Sequence, residues 1–165
     1  MTCPVPAEQQ PLNEYLALKE SFFYCWATLG IWQYLRILLT IWLGWWIFSS
    51  SIAASSFSPK KFFFLFFSWS SIGATLGLLL PLLQLFLGWN YVRNRLQSEQ
   101  IFYEESGWYD GQTWQKPESD LTKERLIVNY EVQPILTKLK LTGLFLILLL
   151  GILAIAIYFR TKLLQ

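Results

Sequence analysis

Three long uncharged stretches dominate the chain, and the polar residues gather between them. After Arg36 the run ILLTIWLGWWIFSSSIAASS carries no charge for about 20 residues, the length an α-helix needs to cross a hydrocarbon layer roughly 30 Å thick. A loop with Pro59, Lys60 and Lys61 follows. The second stretch, Phe62 to Val92, is longer than a perpendicular crossing requires. Tilt, a kink at Pro81 or burial of both ends at the interface would absorb the excess. The third, Leu141 to Phe159, follows Lys138 and Lys140 and is closed by Arg160 and Lys162. The pattern therefore predicts a membrane α-helical protein with about three transmembrane helices.

The polar segments have patterns of their own. CPVPAEQQP, with three prolines, predicts an extended arm. From about Leu12, residues Leu12, Tyr15, Leu16, Leu18, Phe22 and Phe23 fall near helical spacing. They predict an amphipathic helix lying on the bilayer surface, with Trp26, Trp32 and Tyr34 at headgroup depth. Between Arg93 and Gln133 lies the extended polar region. Asp110-Gly111 suits a two-residue hairpin turn in which both central residues need positive φ. That turn would set Tyr109 opposite Gln112, Trp108 opposite Thr113, Gly107 opposite Trp114 and Glu105 opposite Lys116. PESDLTKERLIVNYEVQP then predicts a helix capped by Ser119 or Asp120 and ending near Pro134. Four consecutive segments result: the arm and the start of the amphipathic helix at 1–20; the interfacial helix and two spans at 21–92; a hairpin and helix at 93–134; and the third span with a short tail at 135–165.

Composition sharpens this reading. Apolar residues make up 54% of the chain and charged residues 15%, against roughly 25% charged in a soluble domain. The formal charge of +2 offers no electrostatic footprint for nucleic acid. With three spans, Lys19, Arg36, Arg93, Arg95, Lys116, Lys123, Arg125, Lys138 and Lys140 share one face with all eleven acidic residues. Lys60, Lys61, Arg160 and Lys162 occupy the other. The first face is accordingly expected to be cytoplasmic or stromal. The opening MTCPVPAEQQ carries neither a signal-peptide nor a transit-peptide pattern, and cleavage is not expected.

The absence of histidine removes imidazole-based metal, haem and nucleophile chemistry. Cys3 and Cys25 lack C-x-x-C spacing and are expected to be free thiols. No P-loop, Rossmann glycine pattern or nucleophile elbow occurs, and no span carries a central charge. No cofactor, catalytic group or metal site is predicted. The chain is expected to be non-enzymatic.

Three features could still carry function. In YEESGWYDGQTW, Glu104, Glu105 and Asp110 invite an acid–base or cation-binding reading. Strand alternation sends Glu104 and Glu105 to opposite faces, and Asp110 is accounted for by the turn. A folding element or a docking surface built from Glu104, Glu105, Trp108, Tyr109 and Trp114 fits better. Ser70, Gly73 and Gly77 form a small-residue stripe suited to close helix approach, either to a partner helix or to this chain's own spans with Gly44, Ala53, Gly143 and Gly151. Trp42, Trp45 and Trp46 form an aromatic face that could lie against a pigment, quinone or carotenoid, or simply against lipid or another helix.

The blocks CPVPAEQQPLNEY, YVRNRL, YEESGWYDGQTWQKP and LIVNYEVQPIL resemble those of the hypothetical chloroplast reading frame thirty-six family, also described as conserved in the green lineage and diatoms. The resemblance covers nearly the whole chain. It implies a membrane protein of cyanobacteria and plastids, in the thylakoid, tied to photosynthetic function and to photo-oxidative or iron-related stress. A cyanobacterial or plastid-encoded member is expected. The resulting expectation is an accessory, assembly or maintenance factor whose partners are membrane lipids and a photosynthetic complex. The alternatives are a pigment, quinone or lipid binder and a carboxylate-based membrane enzyme.

Overall fold

The structure, a computed structural model, describes residues 4–104 and 111–162. Helices α1 (Pro11–Glu20), α2 (Ile31–Ser56) and α3 (Phe63–Gln97) come first. Strands β1 (Gln100–Glu104) and β2 (Gly111–Gln115) follow, then helices α4 (Glu118–Ile127) and α5 (Gln133–Lys162). Among the described residues, three helical stretches are long and apolar enough to cross a membrane: α2, α3 and the continuous rod Glu118–Lys162. The described residues of Met1–Thr28 and Leu85–Lys138 form one compact unit, and those of Leu29–Gln84 and Leu139–Gln165 form the other.

The second unit is organised around α3. The apolar window of α3 is 44% buried, against 6% in α2 and 6% in the rod containing α5. Its inward residues include Leu65, Ala74, Leu78 and Leu82, with Ser68, Ser70, Ser71 and Thr75 buried among them. Buried hydroxyls need partners. The Ser70 hydroxyl donates to the Phe66 carbonyl, and that of Thr75 donates to Ser71. This leaves the Ser71 and Thr75 oxygens able to accept from tryptophans of α2. Tyr34, fully buried, donates to Thr142 Oγ1 at 3.1 Å.

Several elements differ from the sequence expectation. The proline arm contains a 3₁₀ turn at Ala7–Gln9, and Pro11 sits in the first turn of α1, where its missing N–H is no loss. Helix α1 ends at Glu20, leaving Phe22 outside it and 96% exposed. Its buried side carries Pro11 and Tyr15, whereas Leu12 and Leu16 are exposed. Helix α3 continues to Gln97 because, from Leu85 on, it supplies Leu85, Trp89, Val92 and Leu96 to the first unit's core. The tyrosine–tryptophan pair Tyr15–Trp89 meets edge to face at 6.2 Å within that core.

The helix after the hairpin begins at Glu118 with Pro117 at its N-cap and makes no side-chain cap through Ser119 or Asp120. It also does not end at Pro134. A π-helical turn over Val128–Val132 joins α4 to α5, with the Gln133 N–H donating to the Val128 carbonyl. Within an ordinary helix the proline ring collides with the carbonyl four residues earlier and removes a hydrogen bond. A wide turn immediately before Pro134 relieves that conflict, so the rod passes through it.

Candidate functional site

The first unit assembles around the hairpin. Strand β1 pairs antiparallel with β2, with Ile101 opposite Trp114, Phe102 opposite Thr113, Tyr103 opposite Gln112 and Glu104 opposite Gly111. This register is not the one expected from a two-residue Asp110-Gly111 turn, which set Trp114 against Gly107. Burial explains the choice: Ile101 and Tyr103 form a small core with Val5 of the arm, against which Trp114 packs. The Tyr103 hydroxyl donates to Gln112 Oε1 at 2.9 Å on the same face. The difference between the two registers is an even number of residues, so Trp114 and Gln112 keep their shared face while their partners change.

Two cations tie this hairpin to the surrounding helices. Lys116, just past β2, is buried, and its Nζ donates to Glu124 Oε2 at 2.5 Å. The same ammonium donates to the carbonyls of Arg95 at 2.9 Å and Leu96 at 3.3 Å. These are among the last carbonyls of α3, which lack intrahelical donors and carry the negative end of the helix dipole. Among the described residues the carboxylate partner of Lys116 is thus Glu124; the expected partner, Glu105, lies outside them. Burial raises the Glu124 carboxyl above the ordinary carboxylate range, and the Lys116 hydrogen bond pulls the other way.

Arg95 gathers a second set. Its Nε and Nη2 grip Glu14 of α1 at 3.1 and 2.9 Å in a fork, and Nη2 also donates to the Gln9 carbonyl at 2.8 Å. Its Nη1 donates to the Phe102 carbonyl of β1 at 3.2 Å. A planar guanidinium suits such many-sided bonding. Arm, α1, α3 and β1 meet at this one side chain.

A third contact joins α1 to the π turn. Tyr15 donates to Glu131 Oε2, and Lys19 Nζ reaches the same oxygen at 2.8 Å. Lys19, and secondarily Tyr15, hold the Glu131 carboxyl below its usual range. Glu131 in turn holds the Lys19 ammonium above its own. Burial is the main cause of the raised Tyr15 hydroxyl.

Beside these hubs lies a cavity of 560 Å³ lined by Leu12, Ile101, Trp114, Leu126, Asp120 and Lys123, among others. Of the expected docking residues it includes Trp114. Glu105, Trp108 and Tyr109 lie outside the described residues, as does the Asp110 half of the expected turn; Glu104 closes β1, with its side chain outside them too.

The small-residue stripe lies in the second unit, against α2. The Ser49 hydroxyl donates to the Ser70 carbonyl at 2.6 Å. A Cβ on Gly73 would meet Ser49 Cβ at 2.6 Å, and one on Gly77 would fall 2.3 Å from the Trp45 ring. Gly44, Gly143 and Gly151, considered as counterparts, have nothing within 4 Å of such an atom. Trp42 Nε1 donates to Thr75 Oγ1 at 3.2 Å, and Trp46 Nε1 donates to Ser71 Oγ at 3.4 Å. The three tryptophans thus meet the small and hydroxylated residues of α3. Cys25 is free of a disulfide, and Cys3 lies outside the described residues.

Sequence reasoning missed the roles of Arg95 and Glu124 and gave Lys116 a different partner. The available signal was their charge at the edges of apolar elements, where an ammonium or guanidinium can meet helix-end carbonyls.

Over residues 3–145 the chain matches the family described as CGLD27-like, conserved in the green lineage and diatoms 27. It is 46% identical over 144 residues to the uncharacterized protein ycf36 of Porphyra purpurea, covering 85% of each chain. Against the ycf36 protein of Pyropia yezoensis it is 47% identical over 153 residues, 90% of each. The chloroplastic protein of Arabidopsis thaliana named conserved in the green lineage and diatoms 27 shares 41% identity over 139 residues. That match spans 84% of this chain and 42% of the Arabidopsis one. No solved structure matches.

Proposed function

Because the chain belongs to the family conserved in the green lineage and diatoms, we propose that it is a non-enzymatic factor of the thylakoid membrane. Its polar unit docks on a photosynthetic complex or on the machinery that assembles and maintains one. The observation that carries this reading is the way Lys116 and Arg95 lock arm, α1, hairpin and α4 into one ordered surface beside a cavity walled by Trp114. Ordering so many side chains costs conformational entropy, and a partner that needs a preformed surface accounts for that cost. The chloroplastic relative and the three apolar helices support a plastid membrane location. By the distribution of Lys and Arg, the polar unit faces the stroma or cytoplasm.

Gentle detergent extraction of tagged protein from thylakoids, followed by native electrophoresis, tests the proposal. Co-migration with a photosystem or one of its assembly intermediates is expected, with loss on Trp114→Ala. Migration of the protein alone overturns it.

A second reading is a carrier of a pigment, quinone or lipid chain. It draws on a cavity of 550 Å³ in the second unit, lined by Leu35, Leu39, Trp42, Leu78, Phe145 and Leu149, among others. The absorption spectrum of purified protein, with mass spectrometry of its extracted lipids, distinguishes this from docking.

A further inference from the structure

We propose that the first unit holds a binding site for the anionic headgroup of a membrane lipid, a phosphate ester or a sulfonate, between α1 and the start of α5. The site is a cavity of 410 Å³. Lys19 of α1 and Lys138 of α5 both line it, together with Tyr15, Thr28 and Glu131, and Pro134 and Ile135 contribute its apolar lining. Its size falls in the range of small-ligand pockets.

Charge is the first argument. Two ammonium groups from elements far apart in sequence face one cavity, and a single carboxylate lines it with them. Like charges around a partly desolvated space repel unless an anion lies between them. Glu131, whose Oε2 accepts from both Tyr15 and Lys19, offsets one of the two positive charges, so the charged groups lining the cavity keep one positive charge in excess. An ammonium has three donors. Lys19 directs its hydrogen bonds to Glu131 and the Tyr15 oxygen, which leaves a third for a ligand. The Thr28 hydroxyl donates to the Cys25 carbonyl at 2.6 Å. Recognition is accordingly by the lysines rather than by hydroxyl donors.

Position is the second argument, and it rests on the membrane reading above. Lys138 is half-buried and precedes the apolar run at Leu141 by less than one helical turn. That places its Cα within about 5 Å along the helix axis of the first residue of the apolar run, near the level at which a headgroup lies. Basic pockets at this depth select anionic lipids.

The test uses the full chain in detergent micelles, with native mass spectrometry after addition of phosphatidylglycerol or phosphatidylcholine. Wild-type protein is expected to retain phosphatidylglycerol about tenfold better, as one or two lysine contacts allow. Lys138→Gln should abolish the preference, while Lys138→Arg and Lys140→Gln keep it. Equal retention of the two lipids by wild type overturns the proposal. So does an equal loss in Lys140→Gln, which would mark diffuse surface charge instead of a pocket. Excess inorganic phosphate separates the two sources of the oxyanion: persistence of the bound lipid supports the headgroup, and its complete displacement overturns the lipid assignment. Melting temperatures without lipid report whether each variant folds. If Lys138→Gln does not fold, failure of Lys138→Arg to keep the preference still overturns the proposal.

Discussion

The two units of this chain hold their helices by opposite means. In the first, ions do the work: among the described residues, Lys19–Glu131, Arg95–Glu14, Lys116–Glu124 and Arg125–Glu99 all lie within it. Lys116 and Arg95 also satisfy backbone carbonyls that helix and strand geometry leave open. In the second, close approach and neutral hydrogen bonds do the work, through Gly73, Gly77 and the indole–hydroxyl pairs of α2 and α3. Under the membrane assignment proposed above, this division has a physical basis. Lipid tails are as apolar as leucine, so hydrophobicity cannot press helices together, and packing with short polar contacts must. Where water is present, charged side chains can be desolvated against specific partners instead.

The largest expected effect comes from leaving a charge buried. Lys116→Ala strands Glu124 and two helix-end carbonyls, at a cost of about 3–5 kcal/mol. Denaturant unfolding followed by tryptophan fluorescence measures it. The double change Lys116→Met with Glu124→Leu should recover much of the loss, because removing both charges removes the desolvation penalty; no recovery would mean that the carbonyl contacts dominate.

In the second unit, Gly77→Ala sets two effects against each other. Alanine favours helix over glycine by up to about 1 kcal/mol, whereas overpacking typically costs about 1–3 kcal/mol. With the new atom 2.3 Å from the Trp45 ring, overpacking wins. Gly44→Ala meets open space and should stabilise or leave stability unchanged. Equal responses at the two positions, in thermal melts of the detergent-solubilised protein, would break the contrast between close packing and open surface.

Thr75→Val removes the acceptor of the Trp42 indole while keeping shape, for a loss of about 0.6 kcal/mol by analogy with other interhelical hydrogen bonds in membranes. The red-edge fluorescence of Trp42 should shift with it.

The smallest effect belongs to Lys19 and Glu131, whose side chains are 44% and 47% exposed. Screening limits the pair to at most about 0.5 kcal/mol. Its sign is fixed by the two displacements. A carboxylate held low contributes above its unfolded pKa and loses that contribution as pH falls through the folded value. An ammonium held high contributes below its unfolded pKa and loses that contribution only as pH rises through the folded one. The pair should therefore survive the whole neutral range and fail in acid, below the ordinary carboxylate range. Glu131→Gln should flatten that acid limb of a stability-versus-pH curve.

Legibility followed the range over which each pattern acts. The three apolar runs needed only composition and length, and each lies on a long helix. The hairpin was legible as a pair of strands in YEESGWYDGQTW, but its register was not. A local turn rule favours Asp110-Gly111, whereas burial of Ile101 and Tyr103 with Val5 is a contact across about a hundred residues of sequence. The partners of Arg95 and Lys116 were hidden for the same reason: they come from elements far off in sequence, among them the arm, α1 and α4. Trp45 against Gly77 was visible as two separate stripes, and only the three-dimensional pairing shows that one fits the other.

The π turn has a consequence for how the rod Glu118–Lys162 is wound. Glu124, Val128, Val132 and Leu136 are all buried, one every fourth residue. In a uniform helix of 3.6 residues per turn, each step of four overshoots a full rotation by about 40°, so such a line would drift some 120° around the rod. A turn that takes up one additional residue cancels about 100° of that drift. The four side chains therefore stay aligned along one generatrix of the cylinder. Excising one residue inside that turn, such as Tyr130, would restore uniform winding with eleven residues from Glu124 to Leu136, which leaves Leu136 within about 20° of that line.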